Sequence, residues 1–248
     1  MGIIIKDDFK FTAWQYSRTD FGLAFTAVLI NFFQMNRLTL AIFSVAMFLS
    51  GHGQEVSKRQ ADSLILTLRK SISDSDRMNI FTTLAEYHIR KPGELKADLD
   101  SGAAFIKSAR QLNSKLRSID ADGFQMLLES MLVKERKQSG TAKDLNEKAI
   151  DVLKTVRNKE HLARAYFELA SYYDYNDSKQ IVDKIHLVEL AAGLYEHSAG
   201  RLRLASTLEY LADLYQINGR DAEALQVLDR ALAAYQSIHP VLDRKSVV

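Results

Sequence analysis

Apolar and polar positions along this chain alternate with a helical period, and the alternation recurs. When ARAYFELASYYDYND, from Ala163, is laid over ASTLEYLADLYQING, from Ala205, Leu169, Ala170 and Tyr173 fall on Leu211, Ala212 and Tyr215, 42 residues apart. The second segment continues as RDAEALQVLDRALAAY, which sets Ala224, Leu228 and Ala231 at i, i+4 and i+7 on one helical face after a turn at Gly219. Small side chains at Ala212, Ala224 and Ala231 would let two antiparallel helices approach closely. Leu208, Leu211, Tyr215 and Leu228 would fill the space around them.

Weaker copies lie upstream. TTLAEYH supplies Leu84 and Ala85, a turn follows at Pro92 and Gly93, and Gly102, Ile106 and Ala109 take the second-helix spacing. FQMLLESML, around Leu127, pairs with KAIDVLKTV, where Ala149, Leu153 and Val156 again stand at i, i+4 and i+7. Leu84, Leu127, Leu169 and Leu211 advance by 43, 42 and 42 residues. Ser57 and Gln60 form a capping-box pattern, Asp76, Thr141 and Asp221 are candidate N-caps, and Gly140, Gly200 and Gly219 fall where helices should stop. The pattern predicts a lead helix over 57–72 and helix pairs over 76–116, 120–157, 159–199 and 201–236.

This pattern resembles the tetratricopeptide repeat, which places a large apolar residue, a leucine with a small neighbour and an aromatic on its first helix, and alanine, a large apolar residue and alanine on its second. The resemblance implies an all-α, TPR-like helical-hairpin solenoid of about four helix pairs plus a lead helix. The period exceeds the standard repeat of about 34 residues, so the pairs must carry extended helices or longer loops. In the third unit the excess lies between Tyr173 and Ala191, 18 residues apart where Tyr215 and Ala224 are 9 apart. Carried over to this chain, the repeat's concave groove would be lined by Glu86, Gln125, Glu129, Phe167, Ser171, Asp174, Glu209, Asp213 and Gln216, a mixed acidic and polar stripe suited to a protein or peptide partner. In the aromatic cluster nearby, Tyr166 and Tyr173 are expected in the core and Phe167 and Tyr175 outside it.

Composition narrows the function. Among 248 residues, 33 basic and 31 acidic side chains are interspersed for a formal net charge of +2, so no field for nucleic acid builds up. The absence of cysteine removes disulfides, thiolate metal sites and cysteine nucleophiles. Six histidines, His52, His88, His161, His186, His197 and His239, show no i, i+3 or i+4 pairing, and no HExxH, GxSxG or phosphate-binding glycine loop occurs. Asp98, Asp100, Asp120 and Asp122 read as solvated faces and caps. The expectation is a non-enzyme with no metal, no cofactor and a protein partner.

The N-terminal region reads as an address. Met35 opens MNRLTLAIFSVAMFLSGHGQ, in which Arg37 precedes the apolar run Leu38 to Leu49 and Gly51 and Gly53 follow at the spacing of a signal-peptidase site. At about 1.5 Å per residue that run covers about 20 Å, short of the roughly 30 Å a membrane span needs. Residues 1–34 then read as a non-native or upstream extension, 35–53 as a signal peptide, 54–240 as the solenoid and 241–248 as a disordered tail. Asp243 to Val248, DRKSVV, resemble the translation of a sequencing-adapter read, which would make the tail foreign and the reading frame cut short; the alternative expectation is a natural frayed tail.

From GHGQ through ADSLILTLRKSISDSDRMN to LAEYHIRKPGELKADLDSGAAFIKSARQL, the order of features resembles the extracytoplasmic half of bacterial two-component sensor histidine kinases that carry these repeats. That resemblance implies an exported, periplasmic sensing module with a membrane anchor and a kinase domain downstream. The kinase's phosphoacceptor-histidine box, asparagine box and glycine-rich lid are missing from these residues. The alternative expectation is a stand-alone secreted or periplasmic scaffold of the same repeats.

Overall fold

The computed structural model describes residues 56–238, apart from 71, 94 and 199. The expectations for 1–34, 35–53 and 241–248 lie outside the described residues. Among the described residues there are helices and no strands: α1 (Lys58–Thr67), α2 (Asp74–Ile89), α3 (Lys96–Leu116), α4 (Ile119–Glu135), α5 (Ser139–Lys154), α6 (Glu160–Ala170), α7 (Gln180–Glu196), α8 (Arg201–Ile217) and α9 (Asp221–Ile238). No described helix is long and apolar enough to cross a membrane.

Local chemistry sets most of the boundaries. Ser57 caps α1 through the expected reciprocal pair: the Gln60 backbone N–H donates to Ser57 Oγ at 3.3 Å and the Ser57 N–H to Gln60 Oε1 at 2.8 Å. Asp76 is not the cap of α2; Ser73 is, accepting from the Asp76 N–H at 3.0 Å, which leaves Asp76 in the first turn where its charge suits the helix dipole. Thr141 and Asp221 likewise lie inside their helices, in the first turns of α5 and α9. Of the three expected glycine stops, only Gly219 is one. Its φ of +74° lets its N–H reach the Gln216 carbonyl while the Arg220 N–H reaches the Tyr215 carbonyl, closing α8. Gly200 precedes α8 as its N-cap, and Gly140 sits in the first turn of α5. The stop before α5 is made by Lys137 at φ 63°, with the same pair of closing bonds, Lys137 N–H to the Lys134 carbonyl and Gln138 N–H to the Val133 carbonyl. Between α3 and α4, buried Asn113 clamps the turn by accepting from the Ser118 N–H at 3.0 Å and donating to the Ser118 carbonyl at 3.1 Å.

Each helix packs on the next, most extensively within the pairs α2/α3, α4/α5, α6/α7 and α8/α9, and α4 also packs on both α2 and α6. That arrangement is the helical-hairpin solenoid expected from the repeat. The long period comes from long helices, of 16, 21, 17 and 16 residues in the first two pairs. In the third pair α6 is cut to 11 residues, and the excess goes into the loop 171–179, where Asp177 Oδ1 accepts from the N–H groups of Lys179 and Gln180.

Small residues lie where helices touch: Ala85, Ala109, Ala149, Ala170, Ala212 and Ala224 are fully buried. Around them Leu84, Leu127, Leu153 and Leu208 are at most 1% exposed, each contributing about 1.5–3 kcal/mol of apolar burial. Gly102 and Gly123 belong to the same scheme. A Cβ on Gly102 would stand 3.0 Å from Ile89 Cγ1, and one on Gly123 would stand 2.7 Å from Leu153 Cγ. Tyr166, Leu187 and Leu194 join the core around α2–α6 to that around α6–α9, so the stack shares one interior. Three core expectations change, the first being Phe167, which is expected outside the core and packs half-buried against it. Leu228 is 37% exposed and Val227, at 5%, takes its place, because no described helix covers that side of α9. Val156 falls beyond the end of α5 at Lys154.

Candidate functional site

The residues expected to line a groove lie on the first helices of the pairs, α2, α4, α6 and α8, or just beyond them. The structure divides them into a part closed by its own charges and a part left open.

The closed part spans α2, α4 and α6. Arg164 on α6 donates to Glu86 on α2, and Arg90 at the end of α2 donates to both Glu86, at 3.1 Å, and Glu168 on α6. These arms reach across α4, where the Arg164 guanidinium lies 4.7 Å from the centroid of the Phe124 ring. His161 stacks on the same ring at 4.0 Å and bonds Asp120 through Nδ1 at 2.9 Å. Burial works to raise the Glu86 carboxyl, but Arg164, Arg90 and Arg203 outweigh it and hold it below the usual carboxylate range. Glu168 is held down in the same way: burial opposes, and Arg90, Lys134 and Arg164 prevail. Gln125 of α4 is fully buried, and neither its Nε2 nor its Oε1 has a hydrogen-bond partner among the described residues; Asn146 of α5 is in the same state. Glu86 and Gln125, expected in an open groove, are therefore interior groups. Glu129 is engaged as well, by both guanidinium nitrogens of Arg110 on α3 at 2.6 and 3.3 Å. An open cleft of about 550 Å³ lies there between α3 and α4, lined by Ile106, Lys107, Arg110, Leu132 and Arg136 beside Glu129.

The open part runs from α6 to α8. Phe167 meets Tyr210 edge to face at 5.5 Å, while Ser171, Asp174, Glu209 and Gln216 are exposed and Asp213 is half-buried. Ser171 Oγ accepts from Lys134 Nζ at 2.6 Å, and Glu209 accepts from the Tyr235 hydroxyl at 2.7 Å. No ion pair among the described residues involves Asp174, Glu209 or Asp213. Burial, and then the charge of Glu209, push the Asp213 carboxyl up. Burial, with Asp213 and Tyr175 behind it, pushes the Tyr210 hydroxyl up to about 12. Tyr175 is 50% exposed, and Lys184 Nζ lies 5.6 Å from its ring centroid while donating to the Tyr173 carbonyl at 2.7 Å. Asp174 shares the field of Lys184, which already lies by the Tyr175 ring, so Glu209 and Asp213 are the carboxylates of this end short of cations, beside Tyr210 and Phe167, an arrangement that favours a guanidinium or ammonium group.

Asp98, expected to be solvated, is instead buried: Lys91 Nζ donates to it at 2.8 and 3.0 Å and His88 Nδ1 stands 3.1 Å away, which pins the loop between α2 and α3 to α3. The Lys91 hydrogen bond, against the effect of burial and with help from His88, holds its carboxyl low. No group of three or more His, Asp or Glu that could hold a metal ion occurs among the described residues. Sequence reasoning missed the arginine bridges, because Arg164 and Glu86 are 78 positions apart and carry no repeat signature.

No family model matches the chain, and no curated protein matches it. Among solved structures, it is similar to a protein of Podosopora anserina described as a kinesin light chain with nearly identical TPR-like repeats, in two forms. A form carrying a single substitution matches at 15% identity over 77% of this chain and 93% of that one, with a TM-score of 0.44. The other form matches at 16% identity over the same shares, with a TM-score of 0.42.

Proposed function

We propose that this chain is a non-catalytic interaction module whose receptive surface is the α6–α8 end of the first-helix face, and that its partner is a protein segment carrying lysine or arginine. The observation that carries the reading is the pair of carboxylates Glu209 and Asp213, outside any ion pair among the described residues, with Asp213 beside Tyr210, whose ring meets Phe167. A cation seated there would replace hydration of Asp213 that the fold has already partly removed. The test is fluorescence anisotropy of labelled lysine- and arginine-bearing peptides against the purified chain. Binding should weaken with salt and be lost in Glu209→Lys and Asp213→Lys, while reversal at Glu147, on the outside of α5, should leave it unchanged. Equal binding by all variants would refute the assignment.

The wider setting rests on the N-terminal sequence pattern and on the resemblance to sensor histidine kinases. In this reading the module is exported and passes occupancy of its face to a membrane-anchored signalling chain. Sequencing the mature N-terminus checks the export step: a start at Gln54 supports it, and a start at Met1 refutes it. A stop codon soon after Tyr235 in the intact gene would favour the stand-alone scaffold over the receptor.

A further inference from the structure

The two ends of the helix stack are unlike its middle. With α8 packed on it, α7 buries two rows of side chains: Val188 and Ala191 on one, Ile185 and Ala192 on the other. No described helix follows α9, which buries only one row, Ala224, Val227, Ala231 and Ala234. On its uncovered side Leu225, Leu228 and Leu232 are 57%, 37% and 56% exposed. They stand at i, i+3 and i+7, the spacing of a seam made to receive another helix. Asp229 stands on the same side and Asp221 at the start of the helix, both exposed and neither in an ion pair among the described residues.

The other end is complementary. α1 buries only Ala61 and leaves Ile65 38% and Leu66 57% exposed. Lys58, Arg59, Arg69 and Lys70 are all exposed near them, outnumbering Asp62, the exposed acidic residue of α1, and none of the five forms an ion pair among the described residues. At about 1.5 Å per residue α1 is about 15 Å long, enough to cover the roughly 10 Å from Leu225 to Leu232. One end is therefore apolar and basic, and the other apolar and acidic.

We propose that a second copy of this chain covers α9, docking head to tail with its α1 on the Leu225–Leu228–Leu232 row and its basic residues beside Asp221 and Asp229. The two patches differ, so the contact is heterologous: a pair formed this way still has one free head and one free tail, and association continues with concentration. The buried patch is small, which places the contact at the weak end of protein interfaces.

Sedimentation velocity on the full chain over rising concentration tests this. The expected result is growth beyond a dimer, suppressed by salt and abolished by either Leu66→Glu at the head or Leu228→Glu at the tail. Mixing those two variants should restore one pairing and stop at a dimer, because one sound head and one sound tail remain. Asp229→Lys provides a second tail variant that leaves the apolar row intact and should weaken growth at least tenfold in apparent association constant. Circular dichroism should show wild-type helicity for all three, whose altered side chains are exposed. Three outcomes overturn the proposal: a monomer at every concentration, association untouched by all three variants, or loss with Leu228→Glu while Leu66→Glu still self-associates, which would mean α9 pairing with α9 or with some other segment.

Discussion

Arg164 of α6 donates to Glu86 of α2 across the helix that separates them, with its guanidinium over the Phe124 ring of that helix. α4 is thereby held under a strap anchored on both of its neighbours. The side chains of Arg164 and Glu86 are 7% and 11% exposed; removing Arg164 leaves Glu86 still bonded by Arg90, whereas removing Glu86 leaves the Arg164 cation away from water without its carboxylate. Glu86→Leu should destabilise the fold by about 3 kcal/mol, and the Glu86→Leu/Arg164→Met double variant should recover most of that, while Arg164→Met alone should cost less. Urea denaturation of the two singles and the double, read as a thermodynamic cycle, checks it; a double variant as unstable as the sum of the singles would contradict the strap.

Gln125 beneath this strap offers a stabilising change. Both ends of its amide are buried without partners, and a buried polar group left unsatisfied costs about 1–3 kcal/mol. Gln125→Met, similar in length and apolar, should therefore raise the urea midpoint, by about 1 kcal/mol in stability. A lowered midpoint would show that the amide has a partner, such as a buried water.

Two glycine-to-alanine changes should move stability in opposite directions. A Cβ on Gly123 would collide with fully buried Leu153 at 2.7 and 2.8 Å, so Gly123→Ala should cost about 1–3 kcal/mol through overpacking of α4 on α5. Gly140, in the first turn of α5, has nothing within 4 Å, and Gly140→Ala should gain up to about 1 kcal/mol from helix propensity alone. Thermal melts of both proteins against the parent decide it.

The helix pairs were legible because close approach demands small residues at fixed intervals: Ala85, Ala170 and Ala212 mark the crossings, and all three are fully buried. Gly219 was legible for the reason that glycine takes a positive φ without strain. Lys137 was not. It adopts the left-handed conformation against its preference, because two closing hydrogen bonds and the packing of α5 on α4 hold it there. The groove was legible as a face and misleading as a surface. Register places Glu86, Glu129 and Asp213 at equivalent repeat positions, yet Glu86 meets Arg164, Glu129 meets Arg110 and Asp213 meets no cation among the described residues. What decides between closed and open is the partner residue on another helix, and the period of the sequence carries no information about it.

Asp213 makes this difference measurable as a function of pH. Burial and Glu209 raise its carboxyl in the folded chain above the unfolded value, so within the window between those two values the native state holds more protons than the unfolded one. Stability falls as pH rises through that window, and at neutral pH the ionised Asp213 is a standing cost. Asp213→Asn should accordingly raise the melting temperature at pH 7 and give no gain below about pH 3.5, where the acid is protonated in both states. Glu86→Gln should behave in the opposite sense: its folded value is depressed, so the variant should lose stability at pH 7 and lose progressively less as pH falls through the native value. Melting curves of the two variants and the parent from about pH 3 to 8 compare the slopes directly. If a cationic segment does occupy the α6–α8 face, its addition should abolish the neutral-pH advantage of Asp213→Asn, because the bound cation turns that carboxylate from a cost into a contact.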